Sequence, residues 1–184
     1  MSIYDLSFID NAGNTVNLKD FKGKNLLIVN TASHCGYTSQ YADLQKIQND
    51  NIFVIGFPCN QFGNQEPGTD KDIKDFCSTN YSISFPISKK IEVNGPNAHP
   101  IYKYCKEKAT GGKDIGWNFE KFLVSVDGSI THYPSSYKVS DITLWKKAIL
   151  LFLNVNLNDI LKTKNVCLIK DITTCPNLNG KRKN

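Results

Sequence analysis

The chain has 184 residues, 40% of them apolar and 21% charged, with a formal charge of +5. That is about one domain of ordinary soluble globular composition, long enough to bury a core without a disulfide scaffold. A membrane bundle, a coiled coil and a disordered chain are excluded; the longest apolar run, Ala148 to Leu153, is far short of the roughly 20 residues a spanning helix needs. The positive charge is uneven. Residues 150–184 hold five lysines and Arg182 against Asp159 and Asp171, a net of +4, and the first 149 residues carry only +1. No basic face with interleaved aromatics marks the main body, so no nucleic-acid partner is expected. The six cysteines (35, 59, 77, 105, 167, 175) include no C-x-x-C pair, and His34, His99 and His132 add no ligand spacing. No metal site is expected. The opening MSIYDLSFID has no basic and apolar leader, so a reducing, cytosolic address is the expectation.

In chain order, residues 14–22 read as a short strand and a turn at Lys22-Gly23-Lys24. The apolar run Asn25–Thr31 predicts a buried strand. A helix is expected from Gly36 or Tyr37 to about Asn49, then a second buried strand at Ile52–Phe57. Thr69 or Asp70 caps a helix to about Thr79, with Ile73, Phe76 and Cys77 on one face. Phe85–Ile87 is a short extended piece, Asn94-Gly95-Pro96 a turn and 97–108 a helix. Phe122–Val126 and Ser129–Tyr133 flank Asp127-Gly128, a strong hairpin signal. Ser140-Asp141 caps a last helix to about Leu153, with Leu144, Ala148, Leu151 and Phe152 inward. This order predicts an α/β fold: a mixed sheet with parallel central strands and helices on both faces. A thioredoxin-like architecture is one solution and a flavodoxin-like one another. Residues 1–153 form the expected domain, and 154–184 an Asn- and Lys-rich extension.

Cys35, in TASHCGYTSQY, falls where a buried strand ends and a helix is expected to begin. Unpaired backbone N–H groups and the positive end of a helix dipole favour a thiolate there. A buried core thiol is the alternative reading of the same residue. Three motifs go further. Asn30, Ala32, Ser33, Cys35, Gly36 and Thr38 match the pattern N-x-A-S-x-C-G-x-T. The run G-F-P-C-N-Q-F-G-x-Q-E-P-G is intact from Gly56 to Gly68, and W-N-F-x-K-F-L-V spans Trp117 to Val124. Over about residues 3–152 the chain resembles the glutathione peroxidase family. The run from Phe76 to Gly95 resembles its cysteine-containing, thioredoxin-dependent, phospholipid hydroperoxide branch.

The resemblance implies a thioredoxin-like fold and a thiol peroxidase acting on hydrogen peroxide and on organic or lipid hydroperoxides. Cys35 would be the peroxidatic residue, at a position filled by selenocysteine in some relatives. Gln65, Trp117 and Asn118 would bring neutral donors toward the sulfur, stabilising an anion without a competing negative charge. Trp117 taken alone would read as core, Gln65 as a solvated loop residue and Asn118 as a turn residue. Cys77 fits the resolving position, with a Cys35–Cys77 disulfide during turnover and partial unwinding of its helix; its other reading is a buried helix-face thiol. Cys59 reads as structural, and Glu66 and Pro67 as supports of their loop.

No bound cofactor is implied; the reducing co-substrate would be thioredoxin, with glutathione the alternative. About twenty residues separate Gly95 from Trp117, and no arginine lies before Arg182. That resembles the short-loop, monomeric branch, with a site open to bulky and lipid hydroperoxides and to transient contact with lipid surfaces. Thr31 stands where many members have valine, and His34 where a longer polar residue is common; histidine titrates between pH 5 and 8. A rival class is a redox sensor, which would keep the same cysteines and hand its oxidation to a partner protein in few turnovers.

Overall fold

The computed structural model describes residues 1–49 and 51–142. Two short strands, β1 (Ser7–Ile9) and β2 (Thr15–Asn17), pair antiparallel before a 3-10 turn at Leu18–Phe21. Then follow β3 (Asn25–Thr31), α1 (Gln40–Ile47), β4 (Ile52–Pro58), α2 (Asp70–Tyr81), α3 (Pro100–Thr110), β5 (Lys121–Val124) and β6 (Ile130–Tyr133). The larger sheet has the order β4-β3-β5-β6, with β3 parallel to β4 and antiparallel to β5. These residues belong to one unit, Met1–Thr143.

Every residue of β3 is buried. Leu26 and Ile28 join a core with Phe57, Phe122 and the α3 residues Ile101, Tyr102 and Cys105. Leu27 and Val29 join a second core with Tyr41 and Leu44 of α1 and Ile73 and Cys77 of α2. A strand covered on both faces has no polar side, which is why it reads as a continuous apolar run and not as alternation. The mixed sheet with helices on both faces is therefore as the element pattern predicts. Phe85–Ile87 lies beside β4: Gly56 donates its N–H to Pro86 O at 3.0 Å, and a Cβ at Gly56 would stand 2.6 Å from Ile87 Cδ1. Any side chain at 56 would push the Ile87 side chain aside.

Several boundaries differ from expectation, each for a local reason. The expected strand at 14–22 is three residues long and gives way to the 3-10 turn; its partner β1 was too short to show a period. Helix α1 begins at Gln40, not at 36 or 37. Residues 35–39 form tight turns, with Thr38 N–H on Cys35 O at 3.0 Å and Gln40 N–H on Tyr37 O at 2.9 Å. Helix α3 starts at Pro100, not 97, because His99 Nδ1 accepts the Ile101 N–H at 3.3 Å and proline suits the first helical position. It ends where Gly111 takes φ +64°. The central strands β3 and β5 are antiparallel; the parallel pairing is β3 with β4. The β5–β6 strands are shorter than predicted because Ser125 to Ser129 form the turn, Gly128 adopting φ +85°. Residues 139–142 are helical, one residue earlier than the expected cap. The helix expected beyond residue 142, the boundary at 153 and the extension lie outside the described residues.

Candidate active site

Strands β3 and β4 run parallel and end together: Thr31 is opposite Pro58, and Cys59 donates its N–H to Thr31 O at 3.0 Å. The Cys35 loop leaves the end of β3 and the loop carrying Gln65 leaves the end of β4. The carboxyl ends of parallel strands are where α/β folds place ligands. The loops are tied by the His34 N–H, which donates to Gln65 O at 3.1 Å.

Within the first loop, Thr38 is the anchor. Its buried hydroxyl accepts the Cys35 N–H at 3.0 Å and donates to Ala32 O at 2.8 Å. The chain therefore turns tightly around Cys35, and the Tyr37 N–H points at Cys35 Sγ, 3.4 Å away. That N–H is a backbone donor within reach of the sulfur. The donor is this turn, not the first turn of α1, which starts five residues on.

The third motif reaches the same place through the antiparallel ladder. Past the pair Val29–Lys121, the Phe119 N–H donates to Asn30 O at 2.6 Å, and the Asn30 side-chain amide donates to Trp117 O at 2.9 Å. Phe119 carries φ +62°, a left-handed conformation that costs a bulky residue about 1–3 kcal/mol. Burial of its ring, edge-on to Tyr41 at 5.5 Å, offsets that cost. Asn118 is fully buried, and its amide donates to Gln65 Oε1 at 2.9 Å. Trp117 keeps 40% of its surface exposed, so the core reading does not hold for it. Its ring is tilted against Phe62 at 6.1 Å. A Cβ at Gly63 would stand 3.5 Å from Trp117 Cη2 and 3.6 Å from Gln65 Cγ, so the two side chains converge on one glycine.

The structure thus brings Gln65, Trp117 and Asn118 together and ties their loops to the strand end that carries Cys35. Cys77 lies on α2 with 2% exposure, within the apolar cluster against which Cys35 packs. Burial pushes its thiol up to about 11, against the opposing effect of the neighbouring Tyr41 hydroxyl and with a further rise from the Glu66 carboxylate. Burial likewise raises Cys59, and raises Cys105 furthest. Among the four described cysteines, all free thiols, Cys35 alone is half-exposed. Cys77 borders a cleft of about 280 Å³ between α2 and the 83–87 segment.

Asn30 and Thr38 had no assigned role in the sequence, although both lie in the first motif. A buried polar residue closing an apolar strand was the available signal for Asn30. Gln61 is a clamp: its Oε1 accepts the N–H groups of Val93 at 2.8 Å and Asn94 at 3.0 Å. Glu66 is buried, and desolvation raises its carboxyl above the usual range. No group of three or more His, Cys, Asp and Glu side chains stands close enough to hold a metal among the described residues.

A mixed sheet with a half-exposed thiol at the carboxyl end of a parallel strand pair, with amides and an exposed indole on loops bound to that end, defines a thiol-based oxidoreductase. The glutathione peroxidase family profile matches residues 3–106, and the chain belongs to that family. Glutathione peroxidase-like peroxiredoxin 2 of Saccharomyces cerevisiae is 49% identical over 142 residues, which cover 73% of this chain and 88% of that protein. Hydroperoxy fatty acid reductase gpx1 of Synechocystis is 49% identical over 154 residues, covering 77% and 91%. The crystal structure of Trgpx in apo form superposes with a TM-score of 0.63 at 38% identity, covering 78% of this chain and 91% of that one. The thioredoxin-like fold and a peroxidase of the oxidoreductase class, working with a thiol reductant, follow from this membership.

Proposed function

We propose that Cys35 is the nucleophile of this thiol peroxidase and Cys77 its resolving thiol. The Cys35 thiolate attacks one oxygen of a hydroperoxide; the O–O bond breaks, sulfur becomes a sulfenic acid, and the other oxygen leaves as an alcohol or water after taking a proton. Neutral donors from Gln65, Trp117 and Asn118 support the developing charge without competing with the thiolate. Cys77 then attacks the Cys35 sulfur, releasing water and forming the Cys35–Cys77 disulfide. A reductant dithiol returns both residues to thiols and is itself oxidised to a disulfide. The observation that carries this reading is the half-exposed Cys35 Sγ facing the Tyr37 N–H while the other described thiols are buried.

An internal disulfide as the oxidised product suits a dithiol protein such as thioredoxin, with glutathione the alternative. The name of the Synechocystis relative supports organic and lipid hydroperoxides as substrates. The short connection before Trp117 supports a monomer with an open site and transient contact with lipid surfaces. A cytosolic address suits a pair of thiols that must be re-reduced at each turn.

The test is peroxide-dependent NADPH oxidation with thioredoxin and thioredoxin reductase, beside glutathione with glutathione reductase, for wild type, Cys35→Ser and Cys77→Ser. Loss of thioredoxin-supported turnover in both variants supports the assignment. Full activity of Cys77→Ser overturns the resolving role. Stoichiometric oxidation of the wild type without turnover in either system supports the redox-sensor reading instead.

A further inference from the structure

We propose that Glu120 is a positioning residue for Trp117, acting through a carboxylate clamp on the 116–117 turn that His132 holds in place. The proposal rests on the peroxidase reading above. The family pattern W-N-F-x-K-F leaves position 120 open, so the clamp is read from this chain's own geometry. Glu120 Oε1 accepts two backbone N–H groups, from Gly116 at 2.8 Å and Trp117 at 3.2 Å. Its other oxygen, Oε2, meets His132 Nε2 at 2.6 Å. Its main-chain oxygen takes the Asn30 N–H at 3.4 Å. Trp117 is thereby gripped from both ends of its peptide: its N–H by Glu120 and its carbonyl by the Asn30 amide. The indole is 40% exposed and is covered on one side by Phe62 and Gly63, which leaves its other side open. Its direction is set by the turn beneath it.

Two features show that the clamp is built for one position. A Cβ at Gly116 would stand 3.1 Å from Glu120 Oε1, so the glycine lets the carboxylate close on the turn. His132 lies opposite Phe122 on β6 and packs on that ring at 5.1 Å, which aims the imidazole at position 120. Burial alone would raise the Glu120 carboxyl; the His132 contact and the two N–H donors outweigh it and hold the group below the usual range. It remains an acceptor for both N–H groups at neutral pH. Removing it leaves two donors at the rim of the site without a fixed partner and releases the indole.

Misplacement of a positioning group by about 1 Å can cost a reaction up to roughly a hundredfold. The experiment uses the full chain with Trp145→Phe, so that fluorescence reports on Trp117 alone. Stopped-flow oxidation by hydrogen peroxide is compared for Glu120→Ala, Glu120→Gln and His132→Phe, with Cys35→Ser as the blank. Glu120→Ala should slow Cys35 oxidation at least tenfold and shift the indole emission, while kcat/KM for thioredoxin stays unchanged, because reduction of the disulfide does not use Trp117. Glu120→Gln, which keeps an acceptor oxygen, should recover most of the rate. His132→Phe leaves the carboxylate in place but unbraced, and should show a smaller loss with the same emission shift; it keeps the idea testable if Glu120→Ala fails to fold. Wild-type oxidation rates in Glu120→Ala, or equal losses with peroxide and thioredoxin in every variant, would overturn the clamp. A wild type whose Cys35 is not oxidised at all would instead overturn the peroxidase reading.

Discussion

Cys35 and Cys77 are the same side chain in two opposite settings. Cys35 sits on a turn that cannot become helix because Thr38 folds back onto Ala32 and onto the Cys35 N–H. The result is a half-exposed sulfur with a backbone donor beside it. Cys77 sits inside a regular helix, 2% exposed, in an apolar cluster with Tyr41, Phe76 and Ile83 close by. Its carbonyl receives the Ile83 N–H at 3.3 Å, so the helix end is fastened to the cysteine itself. On the proposed reading, the turn would leave one thiol accessible to peroxide and the helix would withhold the other. A two-cysteine cycle needs that asymmetry. If both were exposed, peroxide would oxidise them indiscriminately; if both were buried, neither would meet it.

The hardest blow to the comparison is chemical removal. Cys35→Ser should lower peroxide turnover by about a thousandfold or more, the scale expected for loss of a nucleophile. Cys77→Ser should leave the first oxidation intact and let the sulfenic acid persist, which a sulfenic-acid-reactive probe read by mass spectrometry would reveal. Labelling of Cys77 in the Cys35→Ser protein would reverse the assignment.

The next effect is a pH dependence. A thiol held at about 11 gains thiolate roughly tenfold for each pH unit below that value, so disulfide formation should accelerate steadily from pH 6 upward. If α2 opens before the attack, the freed thiol titrates near its ordinary value of about 8.5 and the rate levels off there. Rapid-quench measurement of the disulfide between pH 6 and 10 separates attack from the closed helix and attack after opening. Equilibrium stability changes in the opposite direction. A raised thiol contributes stability that is fully present below the unfolded value and is lost as pH rises through the folded one. Cys77→Ser should therefore flatten the fall in Tm over that alkaline range.

A smaller change tests the turn. Thr38→Val keeps the shape and deletes the hydroxyl, leaving the buried Ala32 carbonyl and the Cys35 N–H without their partner, at about 1–3 kcal/mol. Cys35 oxidation should slow by about tenfold, read by stopped flow, with a lowered Tm. A lower Tm at unchanged rate would reduce Thr38 to a structural brace. The smallest change tests the helix. Thr69 and Asp72 form a reciprocal cap at the start of α2, and Thr69→Ala should cost about 1 kcal/mol. If the whole helix opens during resolution, disulfide formation should speed up by as much as about fivefold. An unchanged rate would confine the opening to the end near Cys77.

Much of the frame was legible. The two buried strands, the Thr69 cap and the Asp127-Gly128 turn follow from apolar runs, capping chemistry and turn residues, which act within a few positions of the chain. The start of α1 was not legible, because Thr38 competes for the backbone through a side-chain bond that helical periodicity does not show. Nor was the brevity of β1 and β2, since three residues are too few to display a period. At the site, ordered motifs single out Cys35, Gln65, Trp117 and Asn118, and the last three lie together in the fold. Asn30 and Glu120 were passed over because their work lies across the sheet, on residues 87 positions away in one case and in a turn without periodicity in the other.

The sequence by itself determined the family, the order of the elements and which residues are candidates for the site, since each is written in local pattern and motif. What those groups experience was decided by the tertiary structure. Burial against α1 raised Cys77, the antiparallel β3–β5 ladder delivered Trp117 and Asn118 to the end of β3, and a carboxylate closed on the turn beneath the indole. The physical reason is common to all three. Desolvation and hydrogen bonds between distant segments depend on what the folded chain sets side by side, and a linear pattern of residue types does not carry that information.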